Sequence, residues 1–177
     1  MEKNTIIVNL FAGPGAGKST GAAFIFSSLK MLGIDSEYVS EFAKDKVWEQ
    51  NGEVFKCQFY VTGKQIFKIS RCYKKVDVIV TDSPINLGAL YADTEELKKA
   101  IVAENKKYNK NEINIFLNRV KEYNPNGRHQ NEDEAKKIDE NTKKFLTEND
   151  IPFICVNGDK EGYEEVVRIV QEKLKNL

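Results

Sequence analysis

Ile6, Ile7, Val8, Leu10 and Phe11 form a short apolar run closed by a glycine-rich turn, after which the hydrophobic pattern changes period. From Ser19 to about Leu32, Ala22, Ile25, Phe26 and Leu29 recur at helical spacing, and Gly33 is a common helix stop. Ile34 to Ser40 alternates as a second strand, and a helix follows from about Glu41 to the Asn51-Gly52 turn pair. Glu53 to Lys75 reads as one long amphipathic stretch, with Val54, Phe55, Phe59, Ile66 and Ile69 at mixed helical spacings. Val76 to Thr81 is apolar except for Asp77, the mark of a strand buried on both faces. Asp82-Ser83-Pro84 ends it, and a loop runs through Tyr91. A helix then starts near Thr94, where Asp93 and Glu96 suit a capping box.

Ile113 to Leu117 is a fourth strand, followed by a polar stretch, Asn118 to Gln130, broken at Asn124-Pro125-Asn126-Gly127. Glu132 to Asn149 is a strongly charged helix whose apolar contacts are Ala135, Ile138 and Phe145. Pro152 to Val156 is the fifth strand, Asn157-Gly158-Asp159 a turn, and Glu161 to Leu174 the last helix. Strands alternating with helices predict an α/β fold: a five-stranded parallel sheet sandwiched by helices, with right-handed crossovers. Residues 1–177 are expected to form a single domain. Ligands of such sheets gather outside the carboxyl ends of the strands, so residues just past each strand become the candidates for chemistry.

Composition narrows the function more than the fold. Lysine plus arginine and aspartate plus glutamate number 27 each, a balance that argues against a general nucleic-acid binder while allowing a local basic patch. Cys57, Cys72 and Cys155 are scattered without metal-ligand spacing, and the lone His129 cannot build a multi-histidine site. No apolar run approaches the roughly 18 residues of a membrane span. The chain enters its first strand almost at once, so no signal peptide is expected. A soluble cytoplasmic protein is the expectation.

The turn after the first strand carries the strongest chemical signal. Ala12-Gly13-Pro14-Gly15-Ala16-Gly17-Lys18-Ser19-Thr20 follows the phosphate-binding P-loop pattern, with Ala12 where its strictest form has a glycine. Gly13, Gly15 and Gly17 let backbone N–H groups approach phosphate oxygens, and the following helix adds unpaired N–H groups and the positive end of its dipole. Lys18 offers a point charge to the β/γ-phosphates, and Ser19 a hydroxyl to Mg²⁺.

Asp77 and Asp82 flank the third strand, but only Asp82 sits at its carboxyl end. It is therefore assigned to Mg²⁺, with a turn-starting role as the alternative. Glu41, at the end of the second strand, is expected to orient an acceptor hydroxyl and take its proton. Its other reading is a first-turn glutamate complementing a helix dipole. Arg119, Lys121 and Arg128 lie in a lid-like loop (residues 118–131), where arginines neutralise transferring charge. Gln58, Phe59, Gln65 and Arg71 are weaker candidates for contacts to a base, and Asn157-Gly158-Asp159 either contacts an adenine edge or simply turns the chain.

These segments together resemble the nucleoside and nucleotide kinase branch of the P-loop proteins, in particular small phage-encoded, thymidylate-kinase-like kinases. The resemblance runs over nearly the whole chain and rests on residues 10–20, Ser40-Glu41-Phe42-Ala43-Lys44-Asp45, Thr81-Asp82-Ser83-Pro84 and Asn124-Pro125-Asn126-Gly127-Arg128. Glu41-Phe42-Ala43-Lys44 is also similar to the Glu-Tyr-Ala-Arg element of nicotinamide riboside kinase-like domains, in which the glutamate serves the acceptor.

The resemblance implies ATP and Mg²⁺ as cofactors, Gly13 to Thr20 with Arg119 and Arg128 as the ATP site, and Glu41, Phe42, Phe59 and Arg71 on the acceptor side. It implies a nucleoside or nucleotide acceptor, or alternatively 5-hydroxymethyluracil within phage DNA, and it is compatible with a homodimer. A nucleotide-dependent switch without an acceptor is a third reading. Asp82-Ser83-Pro84 departs from the Asp-Arg-Ser/Tyr pattern usual in deoxynucleoside and thymidylate kinases, which removes one arginine from beside the phosphates.

Overall fold

In β1 (Ile6–Phe11) every residue is buried, and the alternation of a strand sorts them to two sides. Ile6, Val8 and Leu10 pack under α1 (Lys18–Met31) and α6 (Lys160–Lys175). Ile7 and Phe11 join the opposite core, beneath α3 (Gln58–Ser70), α4 (Glu95–Asn105) and α5 (Glu132–Glu148). These are features of a computed structural model that describes residues 2–120 and 131–177.

The remaining strands, β2 (Ser36–Val39), β3 (Val78–Thr81), β4 (Glu112–Asn118) and β5 (Ile154–Asn157), complete one sheet of five in the order β2-β3-β1-β4-β5. Every neighbouring pair is parallel, with Val8 opposite Val80 on one side and Ile113 on the other. The expected doubly covered parallel sheet is therefore present. With β1 central, the turn after it opens between the carboxyl ends of β3 and β4.

The amphipathic stretch from Glu53 to Lys75 is not one helix. A short 3₁₀ segment, Gly52–Lys56, precedes α3, and the chain then turns through Lys74 at a φ of 64°. The buried face of α3 is Val61, Thr62, Gln65 and Ile69, two of them polar, so hydrophobic spacing alone blurred the boundary. Ile85–Tyr91, expected as a loop, winds into 3₁₀ geometry. The cap of α4 is Thr94, whose hydroxyl accepts from the Leu97 N–H at 3.1 Å, rather than Asp93 with Glu96. A reciprocal capping box instead starts α5, between Asn131 and Glu134. No helix among the described residues is long and apolar enough to cross a membrane.

Candidate active site

The turn after β1 runs directly into a helix. Gly17 adopts φ 100°, a left-handed conformation that glycine takes without strain, and the helix begins directly at Lys18. Gly13 and Ala16 are buried, Pro14, Gly15, Gly17, Lys18 and Ser19 half-buried, and Thr20 faces solvent. The Lys18 ammonium folds back over the turn, donating to the carbonyls of Ala12 (2.7 Å) and Gly13 (3.1 Å). Burial pulls its pKa down, while Glu41, Asp82 and Asp139 oppose that shift. One cation thus sits in the field of three carboxylates.

Asp82 is almost fully buried at 2 % exposure, just past β3. Its Oδ2 accepts from the Ser19 hydroxyl (2.6 Å) and from the Tyr38 phenol (3.0 Å), and its Oδ1 from the Glu41 N–H (3.1 Å). Burial first, then the charge of Asp82, drives the Tyr38 pKa up, so the phenol remains a proton donor to the carboxylate. Asp77, by contrast, pairs with Lys3 at 3.1 Å near the amino ends of the strands.

Glu41 occupies the N-cap position of α2 (Phe42–Trp48), yet its side chain caps nothing. Three consecutive residues are pinned here by their backbone. Lys68 donates to the Ser40 carbonyl, the Glu41 N–H goes to Asp82, and the Phe42 N–H to the Gln65 Oε1 at 2.9 Å. The Glu41 carboxylate is left to the site. Its pKa is raised chiefly by burial and further by Asp82, against the lowering pull of Lys18. Tyr91 lies within the same field, its phenol pushed up by burial and by Glu41. The Phe42 ring is held edge-on to Tyr60 at 5.8 Å.

Arg119, at the end of β4, reaches Asp139 of α5 through Nε (3.2 Å) and Nη2 (2.9 Å). The other oxygen of Asp139 accepts the Gly13 N–H, so one carboxylate ties the arginine to the shoulder of the P-loop. Arg128, Lys121 and His129 lie outside the described residues.

Two acceptor-side candidates are not brought together with these groups. Phe59 projects from the outer face of α3 with 72 % exposure, one helical position from Gln58, which faces the core and bonds Thr62 and Gly88. Arg71 is exposed at the far cap of α3, just before Lys74, whose N–H bonds Thr5 at the start of β1. That is the pole opposite the P-loop. Gln65 is spent on the Phe42 backbone and Thr81, so it is not left to read a base. The Asn157-Gly158-Asp159 segment is accounted for as a turn: Gly158 donates to the Asn118 carbonyl at 2.9 Å, and Asp159 caps α6.

A family model described as an AAA domain matches residues 7–165. The chain belongs to this AAA-domain family. Its fold is that of P-loop kinases: the NadR protein solved in complex with NR aligns at a TM-score of 0.69 and 17 % identity, over 97 % of this chain and 52 % of that one. This AAA-domain chain therefore spans about half the length of the NadR chain. Deoxyadenosine kinase from M. mycoides with bound dATP aligns at a TM-score of 0.53 and 20 % identity, over 96 % of this chain and 99 % of that one. At such identities the likeness speaks for the fold. No curated protein matches the chain.

Several residues that organise the site of this AAA-domain chain carry no local sequence signal. Asp139 lies 126 positions from the glycine it holds, and Tyr163 donates to the Gly17 carbonyl from 146 positions away. Both act only once α5 and α6 have packed. Asp139→Asn is expected to cost about 1–3 kcal/mol of stability, because an amide N–H₂ would face Arg119 where a carboxylate oxygen accepted. A urea unfolding curve checks this. A second expectation concerns Gly158, where a Cβ would run into the Ala16 carbonyl oxygen and crowd that of Asn118. Both are backbone atoms that cannot swing aside. Gly158→Ala should destabilise by about 1–3 kcal/mol and weaken nucleotide binding with it, as thermal unfolding and ATP titration would report.

Proposed function

We propose that this chain transfers the γ-phosphoryl group of ATP to a hydroxyl of a nucleoside-type acceptor. The observation that carries this reading is the pairing, at the carboxyl ends of β1 and β2, of a P-loop lysine with a half-buried carboxylate that caps no helix and accepts no hydrogen bond from the described residues. A phosphate acceptor would call for arginines; a hydroxyl acceptor needs a group that orients it and takes its proton. Glu41 suits that task because the backbone around it is pinned at three consecutive residues and burial raises its pKa above the ordinary carboxylate value.

In this scheme the P-loop N–H groups and Lys18 hold the β- and γ-phosphates. Arg119, with Arg128, neutralises charge on the transferred group, and Glu41 accepts the proton of the acceptor hydroxyl. The donor set beside Lys18 fits Mg²⁺: Ser19 supplies a hydroxyl and Asp82 a carboxylate, both hard oxygen ligands, 2.6 Å apart. When bound there, the ion would neutralise phosphate charge and align the reacting oxygens. Phe42 and Tyr91, which flank Glu41, are the aromatic groups placed to pack against an acceptor's base or sugar.

Incubation with labelled ATP, Mg²⁺ and a panel of acceptors tests the reading. The panel holds deoxyadenosine, other nucleosides, nicotinamide riboside, nucleoside monophosphates, and DNA with and without 5-hydroxymethyluracil. Label on a free nucleoside supports the proposal and names the acceptor. Label only on monophosphates or on modified DNA replaces it with one of those activities. ATP hydrolysis that no acceptor changes would leave a nucleotide-dependent switch.

A further inference from the structure

The buried carboxylate of Asp82 is met by donors from three different elements. The Ser19 hydroxyl, in the first turn of α1, and the Tyr38 phenol, on β2, both donate to Oδ2, at 2.6 and 3.0 Å. The Glu41 N–H, at the start of α2, donates to Oδ1 at 3.1 Å. Ser19, Asp82 and Glu41 have tasks in phosphoryl transfer. Tyr38 has none in that scheme.

The placement of Tyr38 is specific. It stands opposite Val80 in the β2–β3 register, two residues short of Asp82, and the length of its side chain spans the gap. Its ring lies 6.4 Å from that of Phe26 on α1 and packs against the core under α1 and α6. A phenylalanine at this position would fill the same space. What the tyrosine adds is a hydroxyl, and that hydroxyl goes to Asp82.

We infer that Tyr38 is a positioning residue of the metal site, its phenol holding the Asp82 carboxylate in the orientation that serves Mg²⁺. The inference rests on the Ser19–Asp82 pair of the proposed function and needs no particular acceptor. The three donors differ in what they can do once Ser19 engages the ion. The Ser19 hydroxyl is a rotor, and giving its oxygen to the ion turns its proton elsewhere. The Glu41 N–H restrains only Oδ1. The phenol is fixed by a ring lodged between β2 and α1, so of the three it is the one that keeps hold of Oδ2 throughout.

That restraint matters because Asp82 is too buried for water to replace a lost donor, and hydrogen bonds to a charged acceptor are the strong ones. It also reaches the proton acceptor, since the same carboxylate holds the backbone of Glu41.

Calorimetric titration of the full chain with ATP, once in excess Mn²⁺ and once in EDTA, tests this. The ratio of the two dissociation constants reads how far the ion strengthens binding. The wild-type chain should bind ATP more tightly with Mn²⁺. Tyr38→Phe should lose about tenfold or more of that gain, the usual scale for a group that orients a metal ligand, with ATP binding in EDTA unchanged. The electron paramagnetic resonance spectrum of the bound Mn²⁺ should change with it. Phe26→Leu removes the ring beside Tyr38 but keeps the hydroxyl, and should show a smaller loss of the same kind.

A Tyr38→Phe chain with the wild-type ratio and spectrum overturns the proposal. So does equal weakening in Mn²⁺ and EDTA, which would mean general loosening, or a wild-type chain that Mn²⁺ does not help. Should Tyr38→Phe fail to fold, an unchanged ratio in Phe26→Leu overturns it as well. None of these readings involves an acceptor. A chain that gains affinity from Mn²⁺ through Tyr38 yet phosphorylates nothing would overturn the phosphotransfer reading and support this one.

Discussion

Glu41→Gln should lower phosphoryl transfer by about 10²–10⁴-fold while leaving ATP binding intact. The substitution keeps the shape of the side chain and spares the backbone bonds to Asp82 and Gln65, which do not involve the carboxylate. What it removes is the ability to take a proton. Burial and Asp82 raise the Glu41 pKa against the opposing pull of Lys18, so wild-type transfer should fall off on the acid side above the ordinary carboxylate value of 4.5. That limb should vanish from the variant's pH–rate profile.

Stability should move the other way. A carboxyl whose folded pKa exceeds its unfolded value contributes stability below the unfolded pKa and loses that contribution as pH rises through the folded one. At neutral pH the ionised Glu41 is therefore a cost that glutamine does not carry. The thermal midpoint of Glu41→Gln at pH 7 should exceed that of the wild type, and the gap should close in acid below 4.5. Unchanged transfer, or a lower midpoint at pH 7, would remove Glu41 from the mechanism.

Lys18→Ala is expected to abolish measurable transfer, a loss of at least about 10²–10³-fold, and in contrast to the Glu41 variant to weaken ATP binding as well. The Lys18 pKa is lowered because burial outweighs the attraction of its carboxylate neighbours, so the chain holds a cation where burial penalises it. Its bonds to the Ala12 and Gly13 carbonyls hold the ammonium inside the turn, where the phosphates are expected. Filter binding of labelled ATP separates the variants: retained in Glu41→Gln, lost in Lys18→Ala. Equal retention in both would mean that Lys18 is not a phosphate ligand.

The sheet was readable because each strand is a short apolar run bounded by turn residues, and β1 and β3, buried on both faces, leave little else to read. Lys18 followed from the P-loop pattern, and Glu41 and Asp82 from one rule, that chemistry collects past the carboxyl ends of parallel strands. The stretch from Glu53 to Lys75 resisted the same treatment for a definite reason. Its inward face includes Thr62 and Gln65, buried through hydrogen bonds, while Phe59 and Phe67 point outward. Hydrophobic periodicity assumes the reverse.

By itself the sequence determined the strand and helix order, the glycine-rich turn after β1 and the two carboxylates on its rim. All of these are encoded in residues close along the chain, where spacing and turn chemistry act directly. Only the tertiary structure decided which partners hold those groups. Tyr38 and Ser19 meet on Asp82, Gln65 fixes the backbone beside Glu41, and Asp139 links Arg119 to Gly13. Those pairings are satisfied across tens to more than a hundred positions, and a hydrogen bond depends on where packing brings its two atoms, which no local pattern records.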